Sequence, residues 1–154
     1  MPDHLDISSG APAVLTGSLA ALGHPDPPKK GATMANWTEL KQFLYNSYKI
    51  EDDSGDSLRM LFDVGGGRSQ FISVHNFDPL VTFSAPFGKV GEIKPETVLK
   101  SAIPFGVAQA GDIYFLIHTS WIATLDDLEV HGPITVLVNT ADELEKKLTG
   151  KDVF

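Results

Sequence analysis

Leu58-Arg59-Met60-Leu61-Phe62-Asp63-Val64-Gly65-Gly66-Gly67-Arg68-Ser69-Gln70-Phe71-Ile72-Ser73-Val74-His75 is the stretch whose reading decides the fold. Leu58, Met60, Phe62 and Val64 alternate with Arg59, Leu61 and Asp63, and beyond the glycines Ile72 and Val74 alternate with Phe71, Ser73 and His75. A period of two belongs to a strand whose successive side chains take opposite faces. Three glycines between two such segments supply the positive φ that a tight reversal demands and that a Cβ resists. The stretch therefore predicts a β-hairpin. Two strands do not stand alone in water, so the remaining segments must supply further strands and a helical cover.

Working outward, Asn36 followed by Glu39 has the spacing of a capping box, and Trp37, Leu40, Phe43, Leu44 and Tyr48 recur near 3.6 spacing. A helix is expected there, ending in the acidic turn Glu51-Asp52-Asp53-Ser54-Gly55. After the hairpin, Val81, Phe83 and Ala85 alternate with Leu80, Thr82 and Ser84, a third strand that Pro86 should terminate and that the proline marks as an edge. Lys94-Pro95-Glu96 opens a short helix with Val98, Leu99 and Ala102 inward, which Pro104 stops. Phe105 to Gln109 and Ile113 to Trp121 flank the turn Ala110-Gly111-Asp112 and read as a second hairpin, its nearly all-apolar second strand central. Thr124 and Asp127 can cap a helix beginning near Asp126. Gly132-Pro133 should break or kink it, and Ile134 to Val138 alone would suit a strand. One long helix is favoured, because Ile134, Leu137, Val138, Ala141, Leu144 and Leu148 keep helical spacing up to Gly150. The fold class expected is α+β: an antiparallel sheet of about five strands packed by helices, in the order α-β-β-β-α-β-β-α.

Composition narrows the function classes. The chain has 154 residues with 42 % hydrophobic content and nine Phe, which suits a single core. Its net charge of -8 disfavours nucleic acid and anionic membrane surfaces as partners, and no apolar run reaches the ~20 residues of a bilayer span. Without cysteine there is no disulfide framework and no thiolate chemistry, which fits a cytoplasmic location.

Residues 1–33 are rich in Pro, Gly, Ala and Ser and read as a flexible tail, leaving residues 34–154 as the domain. Val14, Leu15, Ser18, Leu19 and Leu22 nevertheless share a helical face, so a short docking helix is the alternative. A secretory leader is not expected, since Asp3 and Asp6 occupy the place of its cationic region. Met34, just before the first strong helix signal, is a candidate translation start, which the intact mass of the native protein would decide.

No reactive signature stands out. Gly65-Gly66-Gly67-Arg68-Ser69 lacks the spacing and lysine of a phosphate loop and leads into a strand. His4, His24, His75, His118 and His131 show no H-x-H or H-E-x-x-H spacing, and no G-x-S-x-G elbow accompanies them. Glu51, Asp52, Asp53 and Asp56 form an acidic loop without EF-hand spacing. No metal or other cofactor is expected, and a hydrolase using His118 or His75 is the least favoured reading.

The element order, together with Gly67-Arg68-Ser69-Gln70, Pro104-Phe105-Gly106, Ile117-His118-Thr119 and Thr140-Ala141-Asp142-Glu143-Leu144, resembles the type III secretion chaperone fold and its YbjN-like relatives over about Asn36 to Phe154. The resemblance implies a non-enzymatic cytoplasmic protein, commonly dimeric and acidic, that holds an extended segment of a partner protein on its surface. Gly132-Pro133 departs from the clean C-terminal helix of that pattern. A peptide-holding surface needs an exposed strand edge and shallow apolar patches. The candidates are Phe77, Phe83, Phe87 and Trp121, each with core filling as its alternative, and Arg68, either a partner for a carboxylate or a solvated turn cation. The rival function is a small-molecule-binding regulatory domain with a Phe-lined cavity between the sheet and the last helix.

Overall fold

The computed structural model describes residues 33–102 and 104–150; the expected tail therefore lies, Thr33 apart, outside the described residues. The elements follow as α1 (Trp37–Ser47), β1 (Ile50–Asp53), β2 (Ser57–Gly65), β3 (Arg68–Phe77), β4 (Leu80–Lys89), α2 (Pro95–Ser101), β5 (Gly106–Ala110), β6 (Ile113–Trp121), a 3-10 turn Ile122–Thr124, and α3 (Asp127–Thr149). The strands form one sheet in the order β1-β2-β3-β4-β6-β5, with every neighbouring pair antiparallel. The class is α+β as expected, but among the described residues the sheet has six strands.

The hairpin forms as its sequence dictates. Gly65 pairs with Arg68, and Gly66 and Gly67 between them take φ of 66° and 77°, both in the left-handed region that a two-residue reversal needs. The sixth strand is β1, in the stretch read as an acidic turn. It pairs with β2 through Ile50–Met60 and Asp53–Leu58 around an irregularity, and it lies at the sheet margin, where acidic side chains stay in water. Asp53 binds α1 from there. Lys41 Nζ and Tyr45 Oη lie 2.8 Å and 2.7 Å from its carboxylate oxygens, and the Gly55 amide donates to it at 2.8 Å. The hydrogen bond from Lys41, then those from Gly55 and Tyr45, lower its pKa to about 2.

A second correction concerns β4. It runs through Pro86 to Lys89 and lies between β3 and β6, so it is an inner strand. The proline is accommodated because the ladder shifts register between Pro86 and Gly88, and its carbonyl accepts a hydrogen bond from Gln70 Nε2 at 2.9 Å.

Helix α3 is continuous across Pro133. It is capped by Asp126, whose side chain accepts from the Glu129 amide while Glu129 accepts from the Asp126 amide, and Gly150 ends it with φ of 67°. Val130, Ile134, Leu137, Val138, Ala141 and Leu144 are buried, a stripe set by the 3.6 period. It covers the sheet face that carries Leu58 and Met60 of β2, Ile72 and Val74 of β3, Val81, Phe83 and Phe87 of β4, and Leu116 of β6, all fully buried. Helix α1 joins this layer through Leu40 and Leu44 and through Tyr48, which hydrogen-bonds His131 of α3. Burial raises the Tyr48 pKa to about 12, which keeps the phenol protonated.

Leu137→Ala should cost about 2–5 kcal/mol, since it empties a fully buried site. Val136→Ala, at a neighbouring position 47 % exposed, should change stability by less than about 0.5 kcal/mol. Urea unfolding of both variants checks the difference.

Candidate functional site

Alternation gives the sheet a second face, turned away from α3. On it, residues are brought together in rows by the strand register. Phe77, Leu80 and Trp121 form one row, His75, Thr82 and Thr119 the next, then Ser73, Ser84, Ile117 and Gly106, with Phe115 opposite Ala108 and Ile113 opposite Ala110. Phe77 is 63 % exposed and Trp121 57 %, so large aromatic side chains stand in solvent at one end of this face.

On the same face, with Phe77 at its edge, lies a furrow of about 270 Å³ lined by His75, Phe77, Thr82, Ser84, Ala108, Ala110, Phe115 and Ile117. Among the described residues that line it, none is an acid, a Lys or an Arg. Strand β5 contributes only small side chains here. The approach to β6 is close at Gly106, where a Cβ would come within 2.9 Å of Ile117 Cγ1. The Thr82 and Thr119 hydroxyls satisfy each other at 3.0 Å, so this pair adds little demand for water. Arg59 lies further out, its guanidinium 5.2 Å from the centre of the Phe71 ring.

The two margins of the sheet differ. At one, β1 reads Ile-Glu-Asp-Asp, and its charges disfavour the addition of another strand. At the other, β5 reads Gly-Val-Ala-Gln-Ala, without charge or proline, and among the described strands β6 is its only neighbour.

The five sequence candidates fall into three groups. Phe77 and Trp121 belong to the open face. Phe83 and Phe87 are fully buried under α3, Phe87 stacked on Tyr114 with centroids 6.2 Å apart, and both fill the core. The space between sheet and α3, where a ligand cavity was the rival expectation, holds these rings together with Ile134 and Leu137. Arg68 is engaged within the chain. Its guanidinium forms a two-pronged pair with Asp142 of α3 at 2.8 Å and 2.9 Å, tying the hairpin turn to the helix. Sequence reasoning missed Ala108, Ala110, Phe115 and Ile117. Their signal was the alternation of β5 and β6, which says that two faces exist but not which one is left open.

His118 lies on the helix-side face, with Ser120 Oγ 3.0 Å from its Nε2, in a hollow shared with Glu129 and Pro133. Glu129 is committed there to the Asp126 cap. Among the described residues, no group of three or more His, Cys, Asp or Glu is placed to hold a metal ion, and no helix is long and apolar enough to cross a membrane. No family model matches this chain, and neither a curated protein nor a solved structure matches it.

Burial lowers the imidazole pKa of both His75 and His118 below the ordinary 6.5. Between that lowered value and 6.5 the unfolded chain binds more protons than the folded one. Their contribution is therefore full above 6.5 and is lost as the pH falls through this window. His75→Gln is expected to flatten part of that slope, read from urea midpoints between about pH 5 and pH 7. Arg68→Ala should lower stability by about 1–3 kcal/mol, between the ranges for exposed and buried pairs. Amide shifts of Phe115 and Ile117 should stay unchanged in that variant, as its role is to pin α3.

Proposed function

We propose that this chain is a non-enzymatic, chaperone-like adaptor that takes an extended, largely apolar segment of a partner protein along β5 and over the adjoining furrow. The observation that carries this reading is the pairing of an uncharged sheet margin with an apolar furrow on the same side of the molecule. A segment added beside β5 gains backbone hydrogen bonds from the strand. Every second side chain then reaches over Ala108 and Ala110 toward Phe115 and Ile117. Phe77 and Trp121, rigid and more than half exposed, are the natural anchors at the end of the face.

The same role is implied by the resemblance to the YbjN-like and type III secretion chaperone-like superfamily, and with it a cytoplasmic, dimeric protein. Charge selects among partners. Since the chain carries -8, an apolar segment with basic flanks associates faster and is held better than an acidic one.

The test uses the peptide KKVTVTVTKK, with its acidic counterpart EEVTVTVTEE as control. Titration followed by amide shifts should place the basic peptide on β5 and β6, with perturbations at Ala108, Ala110, Phe115 and Ile117. Ala108→Lys should weaken binding at least tenfold, because it puts a charge on the furrow floor. Arg68→Ala should leave affinity unchanged. Absence of shifts on β5 and β6 with the basic peptide, or equal binding by Ala108→Lys, overturns the reading.

A further inference from the structure

Where the first turns of α3 meet β6, two hollows of about 370 and 390 Å³ share His118 and Pro133 in their lining. Ser120, Thr124 and Glu129 bring hydroxyl and carboxylate groups to the first, whereas Pro104, Phe105 and Val136 make the second largely apolar. We propose that the pair is a binding site for a small organic ammonium ion with an apolar, ring-bearing body. Glu129 and Ser120 take its N–H groups, and the body lies against Phe105, Pro133 and Val136. The site stands apart from the furrow, which is on the opposite face of β6 and shares no lining residue with it.

The free acceptors decide the charge of the occupant. Glu129 Oε2 accepts from the Asp126 amide at 3.2 Å, and among the described residues no donor reaches its Oε1. Pro133 has no N–H, so the Glu129 carbonyl lacks the donor that a helix ordinarily supplies four residues on. The Ser120 hydroxyl, 3.0 Å from His118 Nε2, keeps an acceptor lone pair whichever of the two donates. Burial lowers the His118 pKa, so its imidazole is uncharged at neutral pH and does not repel a cation. Among the described residues that line the two hollows, none is a Lys or an Arg. A helix start by itself favours an anion, but here the Glu129 amide is already bound by Asp126. The charges of Asp126, Asp127 and Glu129 also outweigh the roughly half positive charge of the terminus. Acceptors in excess beside an apolar hollow select an occupant that donates at a charged end and is hydrocarbon at the other. With one oxygen committed to the cap, the carboxylate offers a single prong, which suits a compact ammonium better than the planar fork of a guanidinium.

The test titrates phenethylammonium into the 154-residue chain, with hydrocinnamate as the anionic and phenethyl alcohol as the neutral counterpart of the same body. The amine should shift the amide signals of Phe105, His118, Ser120, Glu129 and Val136, and bind at least tenfold more tightly than either counterpart. Glu129→Gln preserves the cap, since Gln accepts from the Asp126 amide as Glu does. It should weaken the amine about tenfold and leave phenethyl alcohol unchanged. Val136→Lys, at an exposed position of the apolar hollow, should weaken the amine as well. Ala108→Lys, in the furrow, should leave its affinity unchanged. Equal binding of amine and hydrocinnamate, or an amine affinity indifferent to Glu129→Gln or to Val136→Lys, overturns the proposal. So do shifts confined to Ala108, Ala110 and Phe115, which would put the amine in the furrow. Shifts spread evenly over the acidic residues of β1 overturn it too, since they would mean unselective attraction to an acidic chain.

Discussion

The contact between the α3 stripe and one face of the sheet is the constraint on which the other features depend. A single amphipathic helix can bury one face, and here the face it buries is the one bearing Leu58, Met60, Ile72, Val74, Val81, Phe83 and Leu116. Each large side chain removed from water contributes about 1.5–3 kcal/mol, so the register of every strand is fixed by keeping this set inward. Slippage by one residue would exchange it for Arg59, Ser73, His75, Thr82 and Thr119. The Arg68–Asp142 pair then ties the helix to the turn between β2 and β3.

Covering one face so completely leaves the composition of the other as a separate fact. Antiparallel sheets with a solvated face usually alternate apolar and polar residues cleanly. Strand β6 does not. Ile113, Phe115, Ile117 and Trp121 share the open side, the first three opposite only small residues of β5. Most acids of the described residues lie instead at the β1 margin and on the helices, with Asp78 and Asp112 in the turns that join β3 to β4 and β5 to β6. Like charges therefore hold other acidic molecules away from most of the surface, and the furrow is where an apolar chain meets no such barrier.

Much of the fold was legible because its signals are local. Three glycines between alternating runs mark a reversal, and Asn36 marks a helix start whatever surrounds it. The stripe up to Leu148 outweighed the β-branched run from Ile134 because it is longer than any strand. The helix runs on through Pro133, as that stripe favoured against the break or kink that Gly132-Pro133 alone suggests. What was not legible depends on neighbours. Glu51-Asp52-Asp53 has the composition of a turn and becomes a strand only because β2 offers a free edge and Lys41 and Tyr45 offer partners for Asp53. Pro86 looks like a terminator, but a register shift absorbs it. The furrow combines residues from β3, β4, β5 and β6, and its existence depends on which face α3 chose. Alternation along a single strand holds no such information, which is why Phe83 and Phe87 were as eligible as Phe77 and Trp121.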